Sequence, residues 1–355
     1  MMRFHVASLP HTHTSAAFPS CAFTQKVVRF CKMMTDLGHE VFLYSGEENE
    51  APCTEHVPCI SEKRRAEMVG AKHYTEADWG HPYWQGFNAN VIGQMHERIQ
   101  SRDFICLIGG YSHKPIADAF PSHLSVEFGI GYAGTFAKYR VFESYAWLHA
   151  VYGAEAGADR KDGGWWDAVI PNQFEDIYPL GTGGGYALYV GRLIDRKGYR
   201  IAQEVCEAKG IRLILAGPGP QSGYGEFVGE VDASKRADLM AGAKCLFAPT
   251  QYIEPFGTVH IEAMACGTPI ISTDWGVFTE TVTNGVHGFR CRTFAEFCDA
   301  LDKVDSLDRK RIRDDAYARF SMPVVAKQYE AYFTRLSSLW GQGWYEGKDV
   351  AAKAA

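Results

Sequence analysis

No run of this 355-residue sequence stays apolar for the roughly 20 residues that a membrane-spanning helix needs, so an integral membrane segment is not expected. Contact with a membrane surface stays open. Close-set cysteine pairs are missing too. The ten cysteines stand at 21, 31, 53, 59, 106, 206, 245, 266, 291 and 298, without the spacing of a zinc site or a redox dithiol. Cys106, Cys245 and Cys266 fall in apolar runs, where a thiol behaves as a small core residue. This usage suits a reducing compartment. "MMRFHVASLP" begins a strand at once and offers no signal peptide, which adds to the expectation of a cytoplasmic protein. Excess positive charge is also absent. A net charge of -6 gives no sign of a basic whole-molecule surface for nonspecific nucleic-acid binding, although a local basic groove is compatible with it. Internal repeats and low-complexity tracts are lacking, and nothing points to an oligomeric state.

What is present is an alternation of short apolar runs with amphipathic segments, the pattern of parallel β-α-β units in an α/β protein. "RFHVASL", "EVFLYSG", "FICLIGG", "LSVEFGI" and "WDAVIPN" read as strands in the first half, and "YALYVGR", "IRLILAGPG", "KCLFAPT" and "TPIIST" in the second. Between the first two strands, Phe23, Val27, Phe30, Cys31, Met34 and Leu37 follow helical spacing, and Gly38 supplies a stop. "PNQFEDIYPLGTGGG" is rich in Pro and Gly and lacks periodicity, so it reads as a linker. The expected organisation is a Rossmann-like domain at 1–171, a linker at 172–185, a second Rossmann-like domain at 186–322 and a terminal helical segment at 323–345. Two doubly wound domains with a hinge would face each other across a cleft, with ligands beyond the carboxyl ends of the strands.

One segment carries two glutamates separated by seven residues, "QYIEPFGTVHIEAMACGTPIIST". Glu254 precedes Pro255 and is pushed out of the helical region, so it belongs to a loop. Thr258 is a reasonable N-cap, Val259 to Cys266 reads as helix, and Gly267 suits its left-handed stop. Glu262 then lies one turn into the helix, and the N–H groups of Gly257, Thr258 and Val259 point out between the two carboxylates. That is an anion site. Taken alone, the pair is equally a solvated loop carboxylate and a residue favoured by the helix dipole. Upstream, Arg192 and Lys197 in "YVGRLIDRKG" can converge on a diphosphate, and as two solvated cations they need no function. The glycines of "LAGPGP" permit close approach of a flat ring or a ribose.

In combination, "GRLIDRKG", "LAGPG", "GEVDASKRADLMAGAKCLFAPT" and "EPFGTVHIEAMACGTPIISTDWGVFTETV" resemble the retaining glycosyltransferases of family 4, closely over residues 186 to 292 and only by general pattern before that. The resemblance implies the two-domain GT-B fold and a nucleoside diphosphate sugar donor, with UDP-glucose or another UDP-sugar favoured. Arg192 and Lys197 would neutralise the leaving diphosphate, helped by the N–H groups of Gly257, Thr258 and Val259, and Phe256 would belong to the donor site. Glu262 would hold the ribose hydroxyls and Glu254 the transferred sugar, so the two glutamates would grip opposite ends of one donor. The base would lie near Gly217, Pro218 and Val231. In the family the chain crosses back to the first domain through its terminal helix. No D-x-D sequence occurs, which removes the usual carboxylate pair for a divalent ion, so no metal and no cofactor beyond the donor is expected.

The first domain departs from the family pattern. The loop after the first strand lacks the usual glycine pair, and Ser20 and Cys21 open its helix instead, where they would admit a phosphate or where Ser20 simply caps. Glu127 stands where many members carry a histidine near the sugar. A carboxylate on a buried strand is costly unless paired, which favours a catalytic part for it. The acceptor is open between a saccharide, a lipid-linked glycan and a modified nucleobase in DNA. A sugar-nucleotide epimerase of similar architecture and a glycan-binding protein with lapsed activity are the competing readings.

Overall fold

The computed structural model describes residues 1–15, 18, 21–70, 81–156, 163–339 and 344. The chain divides into two compact units. Unit 1 comprises Met1–Glu143, Ala156–Ile170 and Ala326–Ala355, and unit 2 comprises Ser144–Glu155 and Pro171–Val325.

Unit 1 is built on strands β1 Arg3–Ala7, β2 Glu40–Gly46, β3 Glu55–Ile60, β4 Phe104–Leu107, β5 Leu124–Ile130, β6 Tyr139–Phe142 and β7 Ala168–Val169. They form one parallel sheet in the order β3-β2-β1-β4-β5-β6-β7, with helices α1 Ala22–Asp36, α2 Glu62–Val69, α3 Tyr83–His96 and α4 Lys114–Ala119 among the connections. Helix α1 follows its sequence period. Val27, Phe30, Cys31 and Met34 are all buried, and the chain leaves the helix through Gly38 at φ +79°. The N-cap is Cys21, which makes no side-chain capping bond, while Ser20 lies outside the described residues.

Unit 2 repeats the architecture. Strands β8 Tyr186–Val190, β9 Arg212–Ala216, β10 Glu226–Gly229, β11 Cys245–Ala248, β12 Ile270–Thr273 and β13 Gly288–Cys291 pair in parallel in the order β10-β9-β8-β11-β12-β13. Its helices are α5 Tyr145–Ala156, α6 Tyr199–Lys209, α7 Ala233–Gly242, α8 Val259–Ala265, α9 Phe278–Thr281, α10 Phe294–Lys303, α11 Arg309–Phe320 and the start of α12 Met322–Ser337. From Ala326 onward α12 belongs to unit 1, where the Phe333 ring lies 4.7 Å from that of Phe4 and 4.8 Å from that of Phe104. Among the described residues no helix is long and apolar enough to cross a membrane. All ten cysteines are free thiols.

Two stretches lie elsewhere than the sequence pattern suggests. Residues 144–155 group with unit 2 because its side chains cap α5: Glu280 accepts from the N–H groups of Tyr145 at 2.9 Å and Ala146 at 2.7 Å, and the Ser144 hydroxyl donates to the Pro255 carbonyl at 2.6 Å. Residues 172–185, read as a linker, are packed into unit 2. Phe174 and Tyr178 sit in its core, and the Gly181 N–H donates to the Cys266 carbonyl at 2.9 Å. A Cβ on Gly181 would fall 1.9 Å from the Ala241 carbonyl oxygen, so this glycine allows close approach rather than hinge rotation.

Arg309 fastens the same segment. Its guanidinium donates to the Gly181 carbonyl at 2.9 Å, the Ala243 carbonyl at 3.2 Å and the Thr268 hydroxyl at 2.7 Å. Arg309→Ala strands these acceptors and is expected to cost about 3 kcal/mol, the scale of several lost bonds to a charged donor. Urea denaturation measures it; a loss under about 0.5 kcal/mol would show that water replaces the guanidinium.

Candidate functional site

The strand order of unit 2 reverses between β8 and β11, and in open parallel sheets the crevice at the carboxyl ends of such strands is where ligands bind. The loop after β8 carries Arg192 and Lys197, and the loop after β11 carries Glu254 to Thr258. Both sequence-predicted clusters therefore flank one switch point.

Backbone contacts hold these loops in place. The Gly191 N–H donates to the Ala216 carbonyl at 2.9 Å, the Leu193 N–H to Pro218 at 2.8 Å, and the Gly217 N–H to Gly229 at 2.7 Å, which ties the loops after β8 and β9 to each other and to the end of β10. Gly198 adopts φ +73°, and a Cβ there would meet the Pro249 carbonyl oxygen at 2.0 Å. Only glycine lets the Lys197 turn lie against the loop after β11.

Lys197 Nζ consequently donates to Glu254 Oε2 at 2.5 Å. Glu254 is buried, and the Tyr252 ring lies beneath two cations of the loop after β8, 4.9 Å from the Arg196 guanidinium and 5.3 Å from Lys197 Nζ. Burial pushes the Tyr252 phenol up, the Glu254 charge adds to the shift, and the positive charges of Arg196 and Arg192 oppose it. The Arg192 charge acts on Tyr189 as well. Arg192, Lys197 and Glu254 thus belong to one electrostatic cluster. The sequence separated a cation set for phosphate from a carboxylate for sugar; in the structure Lys197 and Glu254 are paired.

Helix α8 runs to Ala265 with Cys266 as its C-cap, and Gly267 takes φ +71° as its spacing predicts. Thr258 is the N-cap but already has helical dihedrals and makes no side-chain capping bond; its hydroxyl accepts from Asn172 Nδ2 at 3.4 Å. Among the described residues the N–H groups of Gly257, Thr258 and Val259 have no hydrogen-bond acceptor. Glu262 is buried on α8 with a cation of its own: Arg236 Nη2 donates to Oε1 at 3.2 Å, and Arg236 Nε lies 3.0 Å from Oε2. The phenol of Tyr178 stands beside both. Neither Arg236 nor Tyr178 was singled out from the sequence. His260 was missed too: its Nδ1–H donates to the Gly257 carbonyl, and burial holds its pKa down to about 4, with the charges of Arg319 and Lys197 adding to that.

The remaining predicted residues separate. Phe256 is fully buried, its ring 6.0 Å from that of Phe320, so only its backbone can serve a ligand. Val231 and Val259 pack partly against the same core, and Pro218 is exposed. In unit 1, Glu127 is fully buried and its carboxylate accepts from the Tyr132 hydroxyl at 3.1 Å and from the N–H groups of Phe136 and Ala137 at 2.8 Å each. Burial pushes its pKa up while these bonds pull it back. The carboxylate therefore has a structural task in fastening residues 132–137. Cys21 is buried, and its Sγ accepts from the Thr24 hydroxyl at 3.1 Å. Among the described residues no group of three or more His, Cys, Asp or Glu is arranged to hold a metal ion.

Residues 173–319 match the family model Glycosyl transferases group 1. The chain is 34% identical over 128 residues to glycogen synthase of Mycobacterium tuberculosis, covering 31% of each chain, and 36% identical over 102 residues to a probable sucrose-phosphate synthase of Thermosipho melanesiensis, covering 28% of this chain and 24% of that one. It thus aligns with under a third of the length of these curated relatives. Likeness in fold extends further. AviGT4, a glycosyltransferase involved in avilamycin A biosynthesis, superposes with a TM-score of 0.69 at 19% identity, over 95% of this chain and 98% of that one. Anabaena HepE in complex with UDP-glucose gives 0.66 at 18% identity, over 95% and 100%. The two Rossmann-like units are those of GT-B glycosyltransferase structures.

Proposed function

We propose that this protein is a retaining glycosyltransferase of family 4 that moves a sugar from a nucleoside diphosphate sugar to a hydroxyl acceptor without a metal ion. The observation that carries the reading is the pair of buried carboxylates, Glu254 held by Lys197 and Glu262 held by Arg236, before and after the N–H groups of Gly257 to Val259, which have no acceptor among the described residues. The family match over residues 173–319 and the UDP-glucose complex of HepE support it and favour a UDP-sugar.

In transfer, the bond between the anomeric carbon and the β-phosphate oxygen breaks, and its electron pair leaves with the diphosphate. Arg192, Lys197 and the three N–H groups meet the charge that develops there. The acceptor oxygen forms the new bond from the face the diphosphate leaves, and the acceptor proton passes to a departing phosphate oxygen. Glu254, bound to Lys197, is the carboxylate suited to the transferred sugar's hydroxyls, and Glu262 to the ribose.

Purified protein incubated with UDP-glucose is expected to release UDP and glucose slowly without acceptor. With a panel of glycan, lipid and DNA acceptors it should form an α-linked product, at a rate unchanged by excess chelator. An isomerised sugar nucleotide would sink this reading in favour of an epimerase, and loss of turnover restored by magnesium or manganese would sink the metal-free mechanism.

A further inference from the structure

We infer that Arg236 is the positioning residue that makes Glu262 selective for a ribose diol, an inference that rests on the donor-site reading above. Glu262 has a side chain 4% exposed and Arg236 one 20% exposed, so the pair stands largely out of water. A carboxylate so placed needs a compensating charge, and Arg236 supplies it along the edge of both oxygens, at 3.2 Å from Oε1 and 3.0 Å from Oε2. The planar fork of a guanidinium also fixes the plane of the carboxylate it faces.

The pairing leaves capacity for a ligand. Glu262 Oε2 accepts no aligned hydrogen bond among the described residues, since the approach of Arg236 Nε is close but off-axis. Each carboxylate oxygen can accept more than one hydrogen bond. Two adjacent hydroxyls match two carboxylate oxygens only when the carboxylate cannot rotate, and the guanidinium prevents that rotation. Helix α7 in turn holds Arg236: its first turn is capped by Asp232, whose carboxylate accepts from the Lys235 N–H at 2.8 Å. Tyr178 is buried beside both charges.

Binding of UDP and of 2′-deoxy-UDP, measured by titration calorimetry, tests the assignment. The unaltered protein should prefer UDP by about tenfold or more, the size of an unmet buried hydrogen bond. In Arg236→Gln the ratio should fall to about twofold, with affinity for 2′-deoxy-UDP changed by less than about threefold. Arg236→Lys keeps the buried charge but not the fork, so it is expected to fold and still lose most of the ratio; thermal melting checks both variants. An unaltered protein that does not distinguish the two nucleotides overturns the donor-site reading of Glu262 itself. A protein that distinguishes them while Arg236→Lys keeps the full ratio overturns only the role given to Arg236, as does an equal loss of affinity for both nucleotides.

Discussion

Lys197→Ala is expected to lower kcat/KM for transfer by about a hundred- to a thousandfold, the scale of removing one preorganised group from a developing negative charge. Lys197 is held in place by Gly198, by the Tyr252 ring and by its 2.5 Å bond to Glu254. The same bond sets the outcome for its partner. Glu254→Gln removes the charge that competes with a diphosphate for Lys197, so affinity for free UDP should hold or rise by up to about threefold while turnover falls by about tenfold or more. Steady-state kinetics with calorimetry on both variants checks this split. If Glu254→Gln weakens UDP binding as much as Lys197→Ala does, the two side chains do not divide phosphate from sugar.

A second large effect is expected in mild acid. Burial holds the imidazoles of His11 and His260 at about 4 and that of His113 at about 3, all below the ordinary value near 6.5. As pH falls through 6.5 the unfolded chain takes up protons that the folded chain refuses, so stability is full above 6.5 and is lost progressively towards 4. Each imidazole contributes a loss of about 2 kcal/mol by pH 5. Glu127, with its pKa raised by burial, acts in the opposite sense, but burial also lowers the imidazoles of His5 and His39, which adds to the loss in acid. Thermal unfolding at pH 7, 6 and 5 should therefore show a steep fall in Tm, reduced in His113→Gln. A Tm flat over that range would mean that the buried imidazoles accept protons in place.

The sequence made legible what depends on local pattern. Strands that are buried on both faces, such as "LSVEFGI", stand out as apolar runs, and the helix with Val27, Phe30, Cys31 and Met34 shows its period. Strands β3 and β10 are edges of their sheets, and β13 is the far edge of the second, so their sequences mix polar residues, proline and glycine with apolar ones. Pro58 is tolerated in β3 because an edge strand has one side with no neighbour to bond. The two glutamates were visible as a spaced pair, but their cations were not assigned to them. Lys197 is 57 residues from Glu254 and Arg236 is 26 from Glu262, distances that only folding closes. Composition misled at residues 172–185, because glycine required for backbone contact and glycine of a free linker are spelled alike.

The capping of α5 by Glu280 limits how this chain can be cut and recombined. A clone of residues 171–325 would carry most of unit 2 yet omit the helix whose first turn occupies the Glu280 carboxylate and whose Ser144 bonds the Pro255 carbonyl, next to Glu254 itself. Chimeras that join one protein's first half to another's second half must therefore carry residues 144–155 with the second half. The junction that respects the folding unit is discontinuous in the gene.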